Sequence, residues 1–368
     1  MCASVSSVNR CANSPTQQRL TGDRTWRIIP VTDNNTDSSK NPEPSGNGES
    51  TATANPPAYS SAEDSAPCSS NFPPNLSIQG HTSKISTASF SPDGKYIVST
   101  SSNIRVWDAQ TGNSVLGPLA LDSEAIAIAF SSNGRQIAAG LSDGTVLVLD
   151  AVTGEMIVGP LKCHAETYIQ CINFSPDGRK LASGSSYGKV RIWDAQKGKT
   201  ILGPLEYKFP YAVAFSGDGE LIAIGHNNLL SIMDATSGEL KHQVVVGKGC
   251  TRFVAFHPSA QTVVTGNIFH SSCPDVSIWK VDTGEKDTGD SFAVNFAPCN
   301  GMVAVSPNGE WIAQADSSKV RVWYSKPWHP FATYEVLTGY VHAVVFSPDS
   351  KRLLTADDKI IQVYTLDW

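Results

Sequence analysis

One phrase recurs along this chain and limits what it can fold into. FSPDG at Phe90 returns as FSSNG at Phe130, FSPDG at Phe174, FSGDG at Phe215, FHPSA at Phe256, VSPNG at Val305 and FSPDS at Phe346. The seven anchors are spaced by 40, 44, 41, 41, 49 and 41 residues. That period matches four-stranded units, whereas helical-hairpin repeats recur every ~33 or 34 residues. Between the anchors, KYIVSTS, KLASGSS and KVRIWDA are rich in β-branched residues, and no copy sustains a helical period. The chain is therefore expected to be all-β after residue 72.

Each copy divides into the same physical parts. The position two before the anchor is aliphatic throughout, at Ala88, Ile128, Ile172, Val213, Val254, Val303 and Val344. Such a residue suits an inner strand packed between stacked sheets. The Pro-Asp-Gly or Asn-Gly phrase supplies a hairpin turn, since Gly tolerates positive φ and Asp or Asn bonds its own backbone. A second strand follows, then a third that ends in Trp107, Leu149, Trp193, Met233, Trp279, Trp323 or Tyr364, each large enough to fill an interface. The pattern predicts one seven-bladed β-propeller over residues 73–368.

Residues 1–72 read differently. Between Val31 and Phe72 the only large apolar residue is Tyr59, and Ser, Asn, Pro and Gly crowd the segment. Such a stretch buries too little surface to offset its ordering entropy, so a disordered tail is expected, interrupted by the apolar island TWRIIPV at 25–31. The opening residues lack the apolar core of a signal peptide, and no run reaches the ~18 apolar residues of a membrane span. Eight cysteines without a CxxC pair fit free thiols in a reducing compartment. A formal charge of -6 argues against nucleic acid as the main ligand. The expectation is an intracellular protein, cytoplasmic or nuclear, with no membrane contact.

The repeats resemble the WD40 family: Gly80-His81 opens the first copy, and Trp107-Asp108 and Trp193-Asp194 close the first and third. The phrase DAQTGNSVLGPL is also similar to WD arrays appended to NACHT-type signalling NTPases, although no NTPase is present in this sequence. The resemblance implies a buried relay of His, Ser or Thr, Asp and Trp in each blade. Here it is incomplete. The first copy keeps His81, Ser99 and Trp107 with a shortened turn, and the third keeps His164, Ser183 and Trp193 but has Tyr187 in place of Asp. The second has Leu121, Ala139 and Leu149 at the His, Ser and Trp positions, so these polar members are lost together and leave no widowed partner. The resemblance makes these residues structural.

It also implies that each sequence repeat starts with the outer strand of the preceding blade. The segment IIQVYTLDW would then leave the seventh blade one strand short, and residues 76–79 are expected to pair beside 360–366 and close the ring. Closure hides two sheet edges that would otherwise invite association.

Catalytic signatures are missing. GKT at 198–200 lacks the upstream Gly of a phosphate loop, and no GxSxG, HExxH or helix-opening GxGxxG occurs. The eight histidines have no ligand spacing. No cofactor, metal or catalytic residue is therefore expected. The resemblance points instead to a narrow face around the central channel, just before the inner strands. The face positions include Lys84, Glu124, Tyr168, Gln170, Phe209, Tyr211, Arg252, Tyr340 and His342, and aromatic and Arg residues are the types enriched at binding hot spots. The expected function is a non-catalytic scaffold or adaptor binding a protein or peptide there, as a monomeric propeller within a larger complex. The rival reading is a propeller-based hydrolase or oxidoreductase with its site at the central channel.

Overall fold

A computed structural model describes residues 73–162, 167–247, 249–257, 260–269, 272–287, 303–315, 319–324, 330–335 and 340–366. The expected disordered tail at 1–72, with its 25–31 island, lies outside them, as does His164. The described residues form seven antiparallel sheets and no helix. The first blade is Thr87–Phe90, Tyr96–Thr100, Asn103–Asp108 and Ser114–Ala120, paired in chain order. Five further sheets repeat this order, and that of the fifth blade has three strands among the described residues.

The seventh sheet breaks chain order in the expected way. Ala343–Phe346, Arg352–Ala356 and Ile360–Thr365 are completed by Leu76–Gln79, with Leu76 opposite Val363 and Gln79 opposite Ile360. The fold is thus a seven-bladed propeller closed by a strand from the other end of the chain. Packing shows that this strand serves as an ordinary outer strand. In the second, third and fourth blades, the turn after the third strand sets a glycine against the preceding outer strand: a Cβ on Gly154 would meet Leu119 at 2.8 Å, on Gly198 Val158 at 2.8 Å and on Gly238 Leu202 at 3.0 Å. In the first blade Gly112 meets Leu76 and Ile78 of the closing strand at 3.1 and 3.3 Å.

The middle strands carry the core. Ile97, Ile137, Leu181, Ile222 and Leu353 on the second strands, with Ile104, Val146, Val190 and Leu230 on the third, are fully buried. The outer strands of the first three blades are half exposed and carry register shifts around their Gly-Pro-Leu phrases. At the bulge in Thr200–Glu206, Gly203 has φ 108° and an added Cβ would lie 2.7 Å from the Val190 carbonyl oxygen, so only glycine fits.

The recurring turn phrase does more than reverse the chain. Its buried serine donates to the turn Asp or Asn and accepts the backbone N–H that opens the second strand. For Ser91 these bonds, to Asp93 and from Tyr96, are 2.6 and 2.9 Å. Ser131, Ser175, Ser216 and Ser306 repeat the pattern. The hydroxyl is the main reason the Asp93, Asp177 and Asp218 carboxyls sit below the usual carboxylate range. Neighbouring turns also touch. The Cβ positions of Gly94, Gly134 and Gly219 lie 3.5, 3.6 and 3.4 Å from Pro348, Pro92 and Pro176 of the preceding blade. Arg352 donates to the Gly94 carbonyl at 2.7 Å. The phrase recurs because these turns pack against one another around one face of the disc.

Removing residues 1–80 deletes the closing strand and is expected to lower the thermal midpoint by at least about 5 °C, while removing 1–70 leaves it unchanged. Thermal unfolding followed by circular dichroism checks this, and equal midpoints for the two truncations would contradict the closure.

Candidate functional site

The residues of the relay come first, because their bonding shows whether they are free for chemistry. In the first blade the Trp107 Nε1–H donates to Ser99 Oγ at 2.7 Å, and the same oxygen lies 2.6 Å from His81 Nε2. Indole can only donate, so Ser99 Oγ accepts there, and the other imidazole nitrogen, Nδ1, lies 2.8 Å from Ser101 Oγ. Ser101 thus takes the part of the missing Asp, which the sequence reading did not foresee. Burial, with the nearby Arg105 charge, lowers the His81 pKa to about 4. In the third blade Trp193 donates to Ser183 at 2.8 Å, and Tyr187 at the Asp position projects outward, 70% exposed.

The fourth blade holds a relay built from other positions. Gln243 donates to Ser231 Oγ at 3.0 Å, and Ser231 lies 2.8 Å from His226 Nε2. The Tyr207 ring packs on the imidazole, centroids 4.6 Å apart. Burial lowers the His226 pKa to about 4. Sequence reasoning missed this set because His226 lies on the second strand, whereas the template places its histidine before the inner strand; the one signal was IGH at 224–226, where the first and third blades have Ser101 and Ser185. In the second blade Ala139 and Leu149 join an apolar cluster against which Leu121 packs.

The candidate binding residues occupy one face. Each inner strand starts opposite the end of its second strand, as in Pro210 with His226 and Ala343 with Ala356. The segments before the inner strands and the turns after the second strands therefore share a rim, opposite the ring of recurring turns. Four of the residues on this rim meet across the fourth and fifth blades. Phe209 stacks on Tyr211 with centroids 6.4 Å apart and planes 20° from parallel. The Arg252 guanidinium lies 5.2 Å from the Tyr211 ring centre, and Cys250 Sγ lies 3.6 Å from the Tyr211 hydroxyl. Phe209 is 49% exposed and holds φ 53°. Beside it a groove runs past Lys208, Tyr207 and Gly188 to Tyr187, which extends the aromatic patch beyond the residues singled out from sequence.

The other candidates are separate. Glu124 accepts the Ser86 hydroxyl at 2.6 Å, bridging the first two blades. His342 Nε2 lies 2.8 Å from Asp358 Oδ1 in the seventh blade, where Tyr340 is 60% exposed. Lys84 is exposed, and Tyr168 and Gln170 are half-buried at the start of the third blade. Among the described residues no three His, Cys, Asp or Glu side chains are grouped to hold a metal ion. No helix there is long and apolar enough to cross a membrane.

Comparison with known proteins adds two findings. The model of the WD domain, G-beta repeat, matches residues 72–108, 121–150, 156–194 and 330–365. Over 63 residues, 17% of the chain, the sequence is 41% identical to U3 small nucleolar RNA-associated protein 21 of Saccharomyces cerevisiae, and the match spans 7% of that protein.

The two buried histidines set a pH dependence. Their folded pKa values near 4 lie below the usual 6.5, so between these limits the unfolded chain binds more protons. Stability is then complete above pH ~6.5 and declines as pH falls toward 4. Urea unfolding at pH 7.5, 6.0 and 5.0 is expected to show this loss, reduced in a His226→Gln variant. A flat profile over that range would contradict it.

Proposed function

We propose that this chain, which carries WD40 repeats folded as a seven-bladed propeller, is a non-catalytic interaction scaffold that binds a protein or peptide on the rim containing Phe209, Tyr211 and Arg252. The observation that carries the reading is the exposed aromatic and cationic patch across the fourth and fifth blades, with Arg252 over Tyr211 and Phe209 stacked beside it. Aromatic and arginine side chains offer large contact area at low entropy cost and dominate binding hot spots. Such a patch takes a partner segment by stacking and by hydrogen bonds to the guanidinium.

The surrounding groups support binding over catalysis. Glu124 and His342 are each hydrogen-bonded within the protein and stand in different blades from Arg252. The buried histidines bond serines and are kept neutral near pH 7, which suits a structural part. With a formal charge of -6, the chain fits a protein partner better than a nucleic-acid backbone, even though its match in yeast is named for association with a small nucleolar RNA. We read it as an intracellular protein, cytoplasmic or nuclear, acting as one propeller within a larger assembly. Residues 1–72 lie outside the described residues, and we propose that they are available for regulation or a second contact.

Affinity capture from native extract with the full chain tests the reading, beside a variant with Tyr168, Tyr211, Arg252 and Tyr340 changed to Ala. A protein retained by the unmodified chain and lost by a folded variant is expected. Equal retention by both would move the site off this rim.

A further inference from the structure

The second blade differs from its neighbours in a way the scaffold reading does not use. Its His, Ser and Trp relay positions are Leu121, Ala139 and Leu149, and Leu141 stands where the first blade has Ser101. Leu149 is smaller than the Trp of the first and third blades, and beside these apolar side chains a groove of about 380 Å³ opens between the first and second blades. Leu119, Leu121, Leu141, Leu147 and Leu149 form its apolar lining, and Met156, 53% exposed, stands at its edge.

One relay member has nonetheless been kept. Asp143 sits at the position that Tyr187 fills in the third blade, which is the Asp position of the relay. The histidine it would bond is Leu121. Its Oδ1 accepts the Thr145 N–H at 3.0 Å, and among the described residues Oδ2 meets no donor. Asp122 is a second exposed carboxylate in the lining, against the single cation Lys162 among the lining residues. The result is a leucine-floored groove with two carboxylates at its mouth. The two exposed carboxylates favour a basic group at the mouth through a charge-assisted hydrogen bond, while an apolar side chain covers the leucines.

We propose that the groove between the first and second blades is a second docking site, which takes a partner peptide bearing a large apolar side chain next to a lysine or arginine. The site is remote from Phe209 and Tyr211 in blade order and is independent of the rim. Charge complementarity selects the basic neighbour, and the vacated relay volume selects the apolar anchor.

The test titrates the full chain against a fluorescein-labelled octapeptide, Gly-Ser-Leu-Trp-Arg-Ser-Gly-Ser, read by anisotropy, beside one peptide with Glu for Arg and one with Ser-Ser for Leu-Trp. Saturable binding of the first is expected, with both substituted peptides weaker by about tenfold or more. Asp143→Asn keeps the Thr145 cap and removes the charge, so it is expected to weaken the Arg peptide by about tenfold while leaving the thermal midpoint unchanged. Leu149→Trp, which restores the bulk found in the first and third blades, is expected to abolish binding. The proposal is overturned if the Arg peptide fails to saturate, if Asp143→Asn leaves its affinity unaltered, or if Tyr211→Ala and not Asp143→Asn removes binding.

Discussion

The structure depends on the ladder between Leu76–Gln79 and Ile360–Thr365. A ring of sheets stacked face to face buries its core only if every blade has a neighbour on both sides, and the ladder makes the seventh blade a full neighbour of the first. Two contacts then follow around the disc. At the circumference each turn glycine packs on the outer strand behind it, and Gly112 does so on the closing strand itself. Around one face the recurring turns meet, and Arg352 of the last blade donates to Gly94 of the first while lying 5.2 Å from the Phe90 ring. Closure by pairing, by outer packing and by turn contact makes the disc a platform on which rim side chains hold fixed positions.

Within that frame the blades tolerate very different interiors. The first bonds His81, Ser99, Ser101 and Trp107 to one another; the fourth joins His226, Ser231 and Gln243, with Tyr207 packed on the imidazole; the second abandons the His, Ser and Trp groups for leucine and alanine. The cost of leaving a buried donor or acceptor unpaired favours keeping or losing such polar members together, although His226 Nδ1 stays buried without a partner. Asp143 is kept alone at a solvent-exposed turn where water can serve it. The relays stabilise blades, and the exposed remainder of each blade is free to vary for binding.

The fold could be read from the sequence because its signal is repeated. Seven spaced anchors outweigh the degeneracy of any one copy, and the shortage of one outer strand pointed to residues 76–79. The relays were only partly readable. Ser101 and the His226 set use residues off the template positions, and a hydrogen-bond partner two residues along a strand is invisible without coordinates. The buried serine of the turn stands in six of the seven anchor phrases, yet its part was hidden because serine in a turn ordinarily faces water. On the rim the positions just before the inner strands included Phe209, Tyr211 and Arg252 but not Tyr187, which lies after a second strand. The groove in the second blade could not be seen, since it arises from the volume that substituted side chains fail to fill.

The central functional claim is that a partner docks on the rim at the fourth and fifth blades. A photo-crosslinking amino acid placed at Phe209 tests it most directly, with the same probe at Glu220, an exposed residue beside the ring of turns on the opposite face, as the control. The account predicts that irradiation in native extract gives a discrete adduct with a protein from position 209 and none from 220. Adducts from 220 alone, or equal patterns from both positions, would contradict it.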